Sequence, residues 1–242
     1  MKRRKRIALY GGSFDPVHVG HTTVARELSR LFALDGVLFI PAHLAPHKRG
    51  RKVSAPLHRH AMLALATQGE PRFRVSTLEL DAPERPFTVD TLSRLLELYG
   101  PDARLFFVMG ADSWAEITTW REWERVLTLT DQIVVTRPGY ELETTHVTEA
   151  IRERVSDVRG ASTEEVAAAL EASADETRIY LTDAARVEAA STDIRRAAGD
   201  ARRWAELASL VAPPVAEYIN KHGLYREGNG AEFFNAGTNR TY

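Results

Sequence analysis

The chain has 242 residues, of which 44% are hydrophobic, 27% charged and 8% aromatic, the profile of an ordinary globular protein with a sizeable core. Thirty-two Lys and Arg against 33 Asp and Glu leave a formal charge of −1, so no whole-chain field favours nucleic acid or a membrane surface, and any anion site is local. The lack of cysteine excludes disulfides, thiolate metal sites and cysteine nucleophiles, and it fits a reducing compartment.

The basic start Lys2-Arg3-Arg4-Lys5-Arg6 resembles the opening of a signal peptide, but the apolar run after it breaks at Gly11-Gly12. No stretch reaches the ~20 apolar residues of a membrane helix. The chain therefore reads as cytoplasmic, with residues 1–5 a solvated basic tail and with neither membrane nor nucleic acid as a partner. Strands are expected at 6–10, 36–40, 73–77, 104–109, 132–136 and 178–181, with helices at 21–34, 57–67 and 89–98 between them. In the first helix Val24, Ala25, Leu28, Leu31 and Phe32 share one stripe. The unbroken apolar run from Leu105 to Met109, and Ile133-Val134-Val135, are what parallel strands covered on both faces look like.

These patterns predict an α/β fold: a doubly wound parallel sheet of about six strands with helices on both faces, binding its ligand beyond the carboxyl ends of the strands. Residues 141–176 turn acidic and alanine-rich and read as a helical insert, with a surface helix at 164–170. Residues 226–242 are rich in Gly and Asn without periodicity and are expected to be disordered. Residues 1–225 read as a single domain. A homo-oligomer is left open, the insert being the segment that would bear on it.

The stretch from Gly11 to His21, GGSFDPVHVGH, falls where the first strand ends and the first helix begins. Two glycines allow close backbone approach, Asp15-Pro16 favours a turn, and the following helix offers unpaired N–H groups with a positive dipole end. That combination is an anion site. Neither the GxGxxG nor the GxxxxGK[ST] spacing is present. His18 and His21, three residues apart, can face one point and donate to charge developing on a phosphate; as a metal site, HxxH without a third ligand is poor. Near the other end, Ser191-Thr192-Asp193-Ile194-Arg195 reads as a helix start with hydroxyls and a guanidinium fork for phosphate.

The eleven-residue stretch resembles the GxFDPxHxGH motif of the nucleotidyltransferase superfamily, and the segment from Ala190 resembles its SSTxIR signature, with Ala190 in place of the first Ser. Three further segments are similar to those of the nicotinate mononucleotide adenylyltransferase family of bacterial type. They are the Pro46-His47-Lys48 loop, the helix start Phe87-Thr88-Val89-Asp90-Thr91 with Phe87 where the family often has Tyr, and the run from Gly110-Ala111-Asp112 to Trp120-Arg121. The resemblance runs from about Arg6 to Tyr225 and includes Arg137-Pro138-Gly139-Tyr140 and the closing pattern Val211-Ala212-Pro213-Pro214-Val215-Ala216-Glu217-Tyr218-Ile219.

The resemblance implies a Rossmann-like fold and adenylyl transfer from ATP to nicotinate mononucleotide, giving deamido-NAD and pyrophosphate. It implies that His18, His21, Lys48 and Arg195 act on the phosphates. ATP would meet Gly11, Gly12, Ser13, Phe14, His18, His21, Gly110, Asp112, Ser191, Thr192 and Arg195. Nicotinate mononucleotide would meet His47, Lys48, Thr88, Trp120, Arg121 and Arg137. Mg²⁺ would ride mainly on the ATP phosphates, with no protein metal site. Trp114 and Trp123 are expected in the core. Competing readings are a phosphopantetheine or cytidylyl acceptor, a preference for nicotinamide mononucleotide, and a non-catalytic nucleotide-binding regulator.

Overall fold

Strand β1 (Lys5–Gly12) shows how the sheet is built: Ala8 packs into one apolar cluster and Leu9 into another, because successive strand side chains point to opposite faces. The same alternation runs along β4 (Ala103–Gly110), where Phe106 and Val108 face one way and Leu105, Phe107 and Met109 the other. A computed structural model of the chain describes residues 3–43, 53–82, 84, 86–136, 142–184 and 191–226. The sequence-based expectation for 227–242 lies outside them.

The remaining strands are β2 (Gly36–Pro41), β3 (Phe73–Val75), β5 (Asp131–Val135), β6 (Val155–Asp157) and β7 (Ile179–Thr182). Among the described residues they form one sheet in the order β3-β2-β1-β4-β5-β7-β6, with every pairing parallel. The chain reverses its direction across the sheet between β1 and β4, which places the ligand crevice at their carboxyl ends.

The sheet has seven strands, one more than the sequence pattern predicts. The additional strand, β6, lies in the segment read as a helical insert and adds the edge beside β7. That segment does carry helices α6 (Glu149–Arg152) and α7 (Thr163–Ala172). Ser162 caps α7 by accepting from Glu165 N–H at 3.2 Å, while Glu165 Oε2 accepts from Ser162 N–H at 2.7 Å. One face of α7 is buried through Val166 and Leu170. The Leu170 carbonyl accepts from Arg104, whose guanidinium also forms a buried ion pair with Asp131 at 2.7 Å.

The other helices are α1 (Val19–Leu31), α2 (Pro56–Thr67), α3 (Thr88–Tyr99), α4 (Ala111–Ala115), α5 (Trp123–Leu129), α8 (Ser191–Gly199), α9 (Trp204–Leu210) and α10 (Pro213–Lys221). They divide between the faces: Ala25, Leu28 and Leu31 of α1, Met62 and Leu63 of α2 and Val215 and Ile219 of α10 fill one cluster. Val89, Leu92 and Leu95 of α3, Trp114 of α4 and Val126 of α5 fill the other. Each fully buried Leu, Ile or Phe contributes about 1.5–3 kcal/mol of transfer free energy. Pairing of Gly12 with Pro41 and of Gly110 with Val135 brings the ends of β1, β2, β4 and β5 to one edge of the sheet.

Candidate active site

Beyond β1 the backbone has little room. A Cβ on Gly12 would stand 3.0 Å from the Phe14 ring, and one on Gly11 would stand 3.2 Å from Phe107 Cε2. Phe14 has a left-handed φ of 47° and is 1% exposed, packed edge-on against Tyr10 and Phe39. Its ring is thus taken up by the core, and only its main chain is left to face a ligand. Its ring also stands edge-on to His21, 5.0 Å between centroids, so it holds that imidazole from behind.

His18 sits at the N-cap of α1 in extended conformation. Its main-chain N–H donates to His21 Nδ1 at 3.2 Å. A backbone N–H only donates, so His21 Nδ1 carries no proton, and in the neutral ring the proton is on Nε2, where it serves as a donor. The two rings lie 3.8 Å apart. Burial lowers the His18 pKa from 6.5 to about 4, which keeps that imidazole neutral at physiological pH. Its Nδ1 is buried with no hydrogen-bond partner among the described residues, a polar atom held ready at the head of a helix.

The segment from Ser191 to Arg195 reaches this turn. Arg195 Nη1 donates to the Asp15 carbonyl at 2.6 Å and Nη2 to Thr192 Oγ1 at 3.0 Å, while Ser191 Oγ reaches the Pro16 carbonyl at 3.4 Å. Gly110 and Asp112 are exposed at the end of β4 and in the first turn of α4.

On the other face, Thr88 opens α3, whose first N–H groups point out of the helix. The Arg121 guanidinium lies 4.7 Å from the Phe87 ring centroid, which brings the Trp120-Arg121 segment to that helix start. Trp120 is half-buried and edge-on to Phe107, 6.3 Å between centroids, whereas Trp114 is buried with its indole N–H on the Glu143 carbonyl at 2.9 Å. Trp123 is half-buried against the same cluster. His47, Lys48 and Arg137 lie outside the described residues.

Sequence reasoning missed Arg59. Fully buried, it donates to the carbonyls of Ser13, His43 and Ser54 at 2.7, 3.0 and 3.1 Å, tying the glycine turn to the β2 loop and to the start of α2. The signal was there: Arg59 shares the i, i+3, i+4 stripe of Met62 and Leu63, an arginine in an apolar row. Among the described residues no group of three or more His, Asp or Glu side chains is arranged to hold a metal ion. Among them, too, no helix is long and apolar enough to cross a membrane.

The cytidylyltransferase-like family profile matches residues 9–197. A relative from Corynebacterium glutamicum named "Probable nicotinate-nucleotide adenylyltransferase" is 36% identical over 99% of this chain and 98% of its own. One of the same name from Mycolicibacterium vanbaalenii is 36% identical over 95% and 96%. In fold, the chain is similar to Plasmodium falciparum nicotinic acid mononucleotide adenylyltransferase complexed with NaAD, at a TM-score of 0.67 and 20% identity over 91% of this chain and 97% of that one. The chain belongs to the cytidylyltransferase-like family, among the relatives named nicotinate-nucleotide adenylyltransferase.

Proposed function

We propose that the chain transfers the adenylyl group of ATP to nicotinate mononucleotide, giving deamido-NAD and pyrophosphate, with residues 1–225 forming the catalytic unit. The observation that carries this reading is the His18–His21 pair at the head of α1, joined to Arg195 through the Asp15 carbonyl, in a chain whose relatives bear that name.

An oxygen of the acceptor's 5′-phosphate attacks the α-phosphorus of ATP in line. The bond from that phosphorus to the oxygen bridging to the β-phosphate breaks, and pyrophosphate leaves with the electron pair. The attacking oxygen is already an anion, so no general base is needed, and catalysis consists of positioning and charge stabilisation. His18 and His21 donate to the α-phosphate oxygens as charge builds there. Arg195 and Lys48 neutralise the polyphosphate; Ser191, Thr192 and the main chain of Gly11, Gly12, Ser13 and Phe14 line its path. Gly110 and Asp112 receive the adenosine ribose. Mg²⁺ enters as part of the MgATP substrate.

For the acceptor, the amides at Thr88 meet the nicotinate carboxylate, Trp120 stacks on its ring, and His47, Arg121 and Arg137 bind around it with Lys48. A carboxylate gains more from a helix N-terminus than a neutral amide does, so the acid is the preferred acceptor.

The test is pyrophosphate release from MgATP with nicotinate mononucleotide, nicotinamide mononucleotide or phosphopantetheine. Rapid release with the nicotinate substrate is expected. Release only with another acceptor would discard the pocket assignment, and none with any would favour a regulator.

A further inference from the structure

Segments far apart in the chain converge on Asp15, which is 3% exposed. Its Oδ1 accepts from the Tyr225 hydroxyl at 2.8 Å, across 210 positions of sequence. The Ser54 main-chain N–H approaches both carboxylate oxygens, at 3.3 and 3.4 Å. The buried Arg59 guanidinium, whose pKa burial lowers, interacts electrostatically with the same carboxylate. The carboxylate is thus engaged from inside the protein, by the segment leading into α2 and by the turn that follows α10.

Tyr225 is built to reach it. After α10, Gly223 N–H and Leu224 N–H return to the carbonyls of Asn220 and Ile219 at 3.2 and 3.0 Å, and Tyr225 takes a left-handed φ of 68°, which a side chain rarely adopts without a compensating contact. Burial, and then the facing Asp15 carboxylate, push the Tyr225 phenol up, so its hydroxyl stays a donor. From Asp15 the chain runs through buried Pro16 and Val17 directly to His18.

We propose that Tyr225 is a positioning residue: by holding the Asp15 carboxylate inward it sets the turn that presents His18 and His21 to the α-phosphate. This rests on the functional reading above.

The test compares Tyr225→Phe, Asp15→Asn and the double variant in the full chain, by pyrophosphate release and by ¹⁵N–¹H spectra of ¹⁵N-histidine-labelled protein. Tyr225→Phe is expected to lower kcat roughly tenfold, the effect of one hydrogen bond to a charged group, with KM for ATP within about twofold. It should shift the His18 and His21 imidazole resonances and add little in the Asp15→Asn background, since both act through one contact. Unchanged kcat and imidazole resonances with a lower Tm would make Tyr225 a stabilising peg and overturn the proposal. Simply additive losses in the double variant would overturn it too, as would a raised KM for ATP at constant kcat. The spectra need no substrate, so a wild-type chain that releases no pyrophosphate would sink the functional reading while they still decide this one.

Discussion

Arg195 Nη1 donates to the main-chain oxygen of Asp15 at 2.6 Å, and its partner nitrogen Nη2 donates to Thr192 Oγ1. One planar fork therefore registers the head of α8 against the turn before α1, joining segments 180 positions apart in the chain.

A lysine keeps the charge and loses the fork. Arg195→Lys is expected to lower kcat/KM for ATP roughly ten- to a hundredfold, the range for hydrogen bonds to a charged group, as read by initial rates of pyrophosphate release. Retention of the wild-type value would mean that charge alone suffices and the fork is idle.

The two nitrogens of His21 have separable roles. His21→Asn supplies an acceptor for the His18 N–H in place of Nδ1 but no donor at the Nε2 position. Its Tm should stay close to wild type while kcat falls by about 10²–10³, as for loss of one oxyanion donor. His21→Gln, whose amide reaches further, should retain more activity. Near-normal kcat in His21→Asn would remove the imidazole from the mechanism.

His18 makes stability depend on pH in a defined direction. Its folded pKa, about 4, lies below its ordinary value of 6.5 because of burial, so the unfolded chain binds the extra proton between these values. The contribution is complete above about pH 6.5 and is lost as pH falls towards 4, amounting to about 2–3 kcal/mol by pH 4.5. His58, whose pKa burial and His222 also lower, acts with the same sign, so the test is a difference. Thermal midpoints of wild type and His18→Asn at pH 7 and 4.5 should show a smaller drop in the variant, and equal drops would place His18 in contact with solvent.

How much could be read in advance follows from where each feature is encoded. Strand β4 was legible because burial on both faces demands an unbroken apolar run, and the family because the stretch from Gly11 to His21 keeps its pattern in consecutive residues. Strand β6 was not, since Val155–Asp157 is a short edge element whose pairing with β7 is main-chain and leaves no side-chain period. Nor was the Asp15–Tyr225 contact, whose partners sit 210 positions apart and share no local pattern. Arg59 lay between these cases: visible as an arginine in an apolar row, uninterpretable until its three carbonyl partners had been brought together.

Phe107 stands between Gly11 and Trp120. Its ring leaves 3.2 Å for a Cβ on Gly11 and stands edge-on to Trp120, so a side chain added at Gly11 is transmitted towards Trp120. Gly11→Ala forces a few tenths of an ångström of displacement in a packed core, costing about 1–3 kcal/mol, and should raise KM for nicotinate mononucleotide as Trp120 moves. Phe107→Leu alone loses the edge contact. Combined with Gly11→Ala it vacates the space the new methyl needs, so the double variant should be more stable than the sum of the single losses predicts, a coupling on the order of 1 kcal/mol readable by chemical denaturation. Strictly additive losses would confine the Gly11 constraint to the nucleotide itself and cut the link between the glycine turn and Trp120.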